Sequence, residues 1–212
     1  MGEAPNPLSL RGRRKPSGTR DRIVTLARNI IAQGGLSELK ARRVAQEAEV
    51  SVGTVYNLFG HLDDLVRLAN AQTYDSLFAH QTDALARARA DGLPVRAQLH
   101  ALAQAYLVWV GAHHSLWSAA LAFNRERQGE APDWYRDKEL SLLAIIEDAL
   151  SGLPSDLPEA RRATAARALW AGIHGNVMLA MGRSALLQPT EQIEAQMRLI
   201  VDGVVGALAS DG

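Results

Sequence analysis

The chain has 212 residues, 47% of them hydrophobic, with Lys plus Arg and Asp plus Glu balanced at 23 each. That is enough chain to bury a sizeable core, and it suits one small domain joined to a larger one. The absence of cysteine excludes disulfides and cysteine-ligated zinc and fits a reducing cytoplasm, and no apolar run approaches the roughly 20 residues needed to span a bilayer.

Residues 1 to 18 are rich in Pro, Gly and Arg and have no periodicity, so a disordered arm is expected there. Its basic residues, Arg11, Arg13, Arg14 and Lys15, precede no apolar stretch, so neither a secretory signal nor an anchor is expected. Such an arm can reach phosphates or an adjacent minor groove, or remain a solvated tail. From 19 to 33, Ile23, Leu26, Ala27, Ile30 and Ile31 recur at helical spacing, and Gly34-Gly35 supplies residues that tolerate a left-handed helix end.

Residues 41 to 59, ARRVAQEAEVSVGTVYNLF, have the spacing of a helix-turn-helix. A first helix over 41 to 48 places Val44, Ala45 and Ala48 on one face, and a second over 52 to 59 turns Val55, Leu58 and Phe59 inward to meet it. Val50 closes this small core from the turn, and Ser51 is a suitable N-cap for the second helix. The residues left outside, Val52, Gly53, Thr54, Tyr56 and Asn57, are small or polar and suit a DNA major groove.

On these residues, and on the YxxF pattern Tyr56-Asn57-Leu58-Phe59 followed by a short turn and a long helix, the chain resembles a TetR-family transcriptional regulator. The resemblance covers roughly residues 20 to 68 closely and the remainder by its helical layout. Two positions depart from the family pattern. Glu49 stands where a turn glycine is common, and Leu62 stands where a phosphate-binding lysine is common. Candidate DNA contacts are then Arg42 and Arg43 on the first helix, Ser51, Val52, Gly53, Thr54, Tyr56 and Asn57 on the second, and His61 after it.

Charge supports the same division. Residues 1 to 61 hold 10 Lys or Arg against 5 Asp or Glu, whereas the other 151 residues hold 13 against 18. A basic head on an acidic body would be oriented by phosphate as it approaches.

After Gly60 a helix is expected from 62 to about 90, ended by Asp91-Gly92-Leu93-Pro94. Leu65, Leu68 and Ala69 at its start would pack on the head, and the same helix continues into the second domain as a lever. The rest reads as helical, with breaks at 111 to 115, 128 to 132, 151 to 158 and 188 to 189. No strand alternation, internal repeat, phosphate-cradling glycine loop, GxSxG or HExxH occurs, so the common enzyme signatures are missing.

A helix over 159 to 184 carries a seam of small residues that includes Ala168, Gly172, Gly175 and Leu179, and one over 190 to 209 carries Ile193, Met197, Ile200, Val204 and Leu208. The resemblance implies that two such helices from each of two subunits form a four-helix dimer interface. Burial inside one subunit is the alternative. Residues 170 to 175, WAGIHG, resemble the Trp-His-Gly signature of one class of TetR C-terminal domain.

Trp170 and His174, four apart on one face, can line a cavity, with Met178 a turn further on. Trp109, His113 and Trp117 gather with Tyr106, His114 and Phe123 as aromatic surface that could face them. Packing in the core is the plainer role for most of these rings. No carboxylate is spaced to complete a metal site with His113, His114 and His174, so no metal and no cofactor are expected.

The expected fold is therefore all-α. Residues 19 to 64 would form a three-helix DNA-binding domain, and residues 65 to 212 a helical effector-binding and dimerisation domain. The expected activity is that of a homodimeric cytoplasmic regulator, a repressor released from a palindromic operator by a small-molecule effector. Two other readings stand beside it: the same fold answering to a protein partner, and a small helical enzyme using the His and Trp pocket.

Overall fold

The structure is a computed structural model that describes residues 16–127, 131–153, 157–182 and 190–210. Every regular element among the described residues is helical. Residues 1–15 of the expected arm, with its basic cluster, lie outside the described residues, as do the centres of three of the expected breaks.

Helix α1, Pro16–Gly34, turns Ile23, Val24, Ala27, Ile30 and Ile31 inward at three- and four-residue steps, so one stripe is apolar and the other faces water. It ends where Gly35 takes a positive φ of 77°, which costs glycine little. A short 3-10 turn leads to α2, Ala41–Glu47, and α3, Val52–Phe59. Ser51 caps α3 by accepting the Thr54 backbone N–H at 3.0 Å. Glu49 takes the left-handed backbone of the turn at φ 54°, so the turn keeps its shape at a cost of about 1–2 kcal/mol. The Arg22 guanidinium donates to the Ala48 carbonyl at 2.9 Å and ties α1 to this turn.

Helix α4, Leu62–Ala90, has 29 residues, about 44 Å of continuous helix at 1.5 Å per residue. Its first half belongs to the head: Leu65, Val66 and Ala69 are buried with Ile23, Ile30, Val44, Val55 and Phe59. Its second half belongs to the body, where Tyr74, Leu77 and Leu85 join a core built by α5, Val95–Ala112, α6, His114–Glu126, α7, Asp133–Leu150, α8, Glu159–Met181, and α9, Thr190–Ser210.

A second helix also joins the two cores. Leu116, Ala119 and Phe123 of α6 are buried in the head core, while Trp117 and Ala120 of the same helix are buried in the body core. Beside this junction lies a buried polar network. Asn70 donates to the Tyr135 hydroxyl at 3.2 Å, Tyr135 donates to Asn124 at 2.8 Å, and Tyr74 donates to Glu139 at 2.9 Å, with Asn124 also bonded to Tyr74 and Glu139. These five side chains thereby supply one another with partners, and α4 is fixed to α6 and α7 by directional bonds as well as by packing.

Candidate functional site

Helix α3 owes its place to two buried side chains, Val55 and Phe59, which leave the opposite face open. On that face Val52, Gly53, Tyr56 and Asn57 are exposed, Tyr56 at 47%. Thr54 is half-buried, and its hydroxyl lies 2.8 Å from Ser51 Oγ, so these two side chains complete the cap at the edge of the face. Gly53 has room for a side chain, since an added Cβ would meet only Ser51 Oγ at 3.6 Å. Nothing among the described residues requires glycine there, although glycine costs about 0.5–1 kcal/mol in a helix. What the missing side chain does provide is close approach of an outside molecule to the helix backbone.

The basic groups of the head divide into two sets. Arg42 of α2 and Lys40 at its N-terminus, which sequence reasoning passed over, are exposed, as is His61 at the start of α4. Arg43 instead pairs with Glu38 and Glu47, both at 2.8 Å, which raises its own pKa and reduces the positive charge it presents outward. At the position of Leu62, the first turn of α4 also carries Asp63 and Asp64, which suit a helix N-terminus and pair with Arg127 and Arg67.

The body contains a small cavity of about 30 Å³. Its walls are Gln81 of α4, Leu99, Leu102, Ala103 and Tyr106 of α5, Ile146 of α7, Leu169, Trp170 and Ile173 of α8, and Val201 of α9. All are buried except Trp170, which is half-buried, and none is charged. Of the expected effector residues, Trp170 alone lines this cavity. His174 stands behind the wall, stacked on Trp170 with ring centres 5.5 Å apart, its Nδ1 2.6 Å from the Tyr106 hydroxyl. Burial lowers the His174 pKa and raises that of Tyr106, so a neutral pair backs the cavity.

The other expected effector residues are core or helix-end groups. Trp117 is 1% exposed and packs edge-on against Tyr74, Tyr106, Trp109, Trp170 and His174. Trp109 is buried and donates to Ser76 Oγ, while His113 stacks on Trp109 and closes the end of α5 through the Trp109 carbonyl. Met178 is half-buried against the core. Gln81 escaped the sequence reading. Its signal was available, because four-residue steps from Leu77 and Leu85 place it on the buried stripe of α4.

Two wider clefts open on the surface, one of about 270 Å³ beside Phe78, Arg89 and Asp148 and one of about 210 Å³ beside Arg67, Tyr135 and Arg136. Their arginines are already held by Asp148, Asp64 and Asp133.

The two candidate seams differ in what they face. Met197 is 3% exposed and sits in the chain's own core with Ile193, while Ile200 and Val204 are half-buried against it. Gly172 faces α9 of the same chain, where an added Cβ would meet Ile200 at 3.0 Å. Ala168 and Leu179 point outward, and Gly175 faces open space. Among the described residues, no group of three or more His, Asp or Glu could hold a metal, and no helix is long and apolar enough to cross a membrane.

Comparison with known proteins gives this geometry its family. Residues 99–204 match the tetracyclin repressor-like C-terminal domain, and residues 23–69 match the bacterial regulatory proteins of the tetR family. No curated protein matches the chain in sequence. Among solved structures, a protein of unknown function from Rhodococcus sp. RHA1 superposes with a TM-score of 0.73 at 19% identity, over 95% of this chain and 99% of that one. A tetR-family transcriptional regulator from Streptomyces coelicolor gives 0.69 at 17% identity, over 92% and 84%. The multidrug binding protein EbrR, complexed with imidazole, gives 0.64 at 22% identity, over 95% and 97%. At such identities the shared property is the fold, and the matches that span residues 23–69 and 99–204 carry the assignment. The chain belongs to the TetR family: it is a DNA-binding transcriptional regulator, a member of a family whose proteins are not enzymes.

Proposed function

We propose that the chain works as a homodimeric repressor. Each subunit sets α3 in the major groove of one half of a near-palindromic operator, and a small apolar or aromatic molecule of low charge, entering the body cavity, releases it. The observation that carries this reading is that one unbroken helix, α4, supplies Leu65 and Ala69 to the head core and Gln81 to the wall of an uncharged cavity. A ligand that fits the cavity better in one position of α4 shifts the head by that difference in affinity and by no more.

The exposed face of α3 supports the operator half of the reading. Asn57 has the donors and acceptors to read base edges, the Tyr56 hydroxyl suits a phosphate, and Gly53 lets the backbone come close. We assign the dimer contact to the outward-facing residues of α8 and α9, Ala168, Gly175 and Leu179 on α8 and Leu199, itself 73% exposed, on α9. Met197 and Gly172 serve the interior of each subunit in this scheme. The resemblance of residues 170 to 175 to the Trp-His-Gly class, and the likeness in fold to a multidrug binding protein, fit an effector held beside Trp170. A regulator of this kind acts in the cytoplasm.

The test is selection of genomic DNA fragments by the purified protein, followed by sizing of the free protein. The expected result is a near-palindromic site with half-sites one helical turn or a multiple apart, bound by a dimer that Gly175→Arg dissociates. Absence of any enriched site would end the operator reading, and a wild-type monomer would end the dimer. Release by a protein and by no small molecule would transfer control to a partner.

A further inference from the structure

On the core face of the body half of α4 the residues are Leu77, Gln81, Ala84, Leu85 and Ala88, so a carboxamide occupies a place in an otherwise apolar stripe. Gln81 is 2% exposed, and its Oε1 is buried without a hydrogen-bond partner. Two other buried side-chain atoms share that condition among the described residues, Trp117 Nε1 and Arg162 Nε, but only Gln81 lines the cavity.

Water is a poor occupant. The cavity of about 30 Å³ has room for a water, which needs two to four polar partners. Besides Gln81, the lining residues that carry polar groups are Tyr106, whose hydroxyl is already 2.6 Å from His174, and the half-buried Trp170. The remaining wall is Leu, Ile, Val and Ala. An apolar molecule with one donor satisfies both the wall and the oxygen, and water satisfies only the oxygen.

We propose that Gln81 is the polar anchor of the effector site, and that the effector is an uncharged, mainly apolar molecule with one hydroxyl or N–H group that donates to Gln81 Oε1. The anchor rests on the reading of this cavity as the effector site, and it adds the chemical class of the ligand. It also places the ligand's only directional bond on α4, the helix shared with the head. A molecule larger than the present cavity enters by displacing side chains, with Trp170 the lining residue nearest to solvent.

The test uses 1-naphthol and 1-methylnaphthalene, which differ by hydroxyl against methyl at nearly constant shape, titrated by calorimetry into wild-type protein and Gln81→Met. The hydrogen bond to a buried, otherwise unmet oxygen shifts the ratio of the two Kd values about tenfold in favour of the hydroxyl probe in wild type relative to the variant. Gln81→Met should melt no lower than wild type, because it replaces an unmet amide by an apolar side chain of similar size; Gln81→Leu repeats the comparison. An unchanged ratio, or failure of both probes to bind wild type, overturns the anchor. So does loss of fold in both variants, since an unmet amide contributes nothing to folding. Binding with the expected preference but without effect on operator affinity keeps Gln81 as a ligand anchor and overturns the cavity as the effector site. A protein that selects no DNA but shows the preference leaves the anchor standing and removes the operator reading.

Discussion

The head and the body solve opposite problems on one shared helix. In the head, the candidate DNA contacts of α2 and α3 fall between Arg42 and Asn57, on two short helices whose inward faces are set by Val44, Ala45, Val55 and Phe59. In the body, the cavity is assembled from five helices and from residues as far apart as Gln81 and Val201. A surface that reads another molecule can be encoded locally, because a helix with one buried face has its other face free. A cavity cannot, because it exists only where several helices fail to fill a space.

Four substitutions test how separate these regions are, and the largest effect is expected at Trp117. Replacement by Ala removes an indole with five ring contacts and should cost about 3–5 kcal/mol, seen as a fall in denaturant midpoint. Because α6 also supplies Leu116 and Phe123 to the head, head and body should still unfold in one transition. Two resolved transitions would mean that the cores are energetically independent.

Tyr135→Phe comes next. It leaves Asn70 and Asn124 without the hydroxyl that joins them and should cost about 1–3 kcal/mol with an unchanged denaturant slope. A neutral result would show that this polar junction does not hold α4 to the body.

In the head, Glu49→Gly should stabilise by about 1 kcal/mol by relieving the left-handed backbone at φ 54°, measured as a rise in denaturant midpoint with operator affinity unchanged. A fall in stability would show that Glu49 makes a compensating interaction.

The smallest effect concerns pH. Burial lowers the pKa of His174 from the ordinary value of 6.5, so the unfolded chain takes up the proton first as pH falls. The stability contributed by neutral His174 is complete above about 6.5 and declines as pH drops through the lowered folded value. Denaturation midpoints measured across that window should fall in wild type and flatten in His174→Asn. An equal slope in both proteins would assign the pH dependence to other groups.

These contrasts also explain what the sequence could reveal. The capping role of Ser51, the inward Val55 and Phe59, the long α4 and the strain at Glu49 follow from spacing and backbone chemistry over a few residues. The orientation of α9 does not. Its apolar positions define a face, but only packing decides that Met197 turns into its own subunit while Leu199 turns out. Arg43 looks like a phosphate contact until Glu38 and Glu47 close on it. Trp109, Trp117 and His174 were legible as an aromatic group, yet whether a ring lines a 30 Å³ space or stands one layer behind it depends on five helices at once. The spacing of Leu77, Gln81 and Leu85 shows that Gln81 is buried, but not that its oxygen faces a gap between helices.

Operator binding depends most directly on the exposed face of α3, and Tyr56 tests it. The wild type and Tyr56→Ala should be titrated onto a DNA site selected by the wild type, at one fixed salt concentration, with thermal melting measured in parallel. An exposed residue with no partner among the described residues should leave melting nearly unchanged, within about 0.5 kcal/mol, while operator affinity falls on the order of tenfold. A folded Tyr56→Ala protein that binds the site as tightly as wild type would contradict the assignment of this face to DNA.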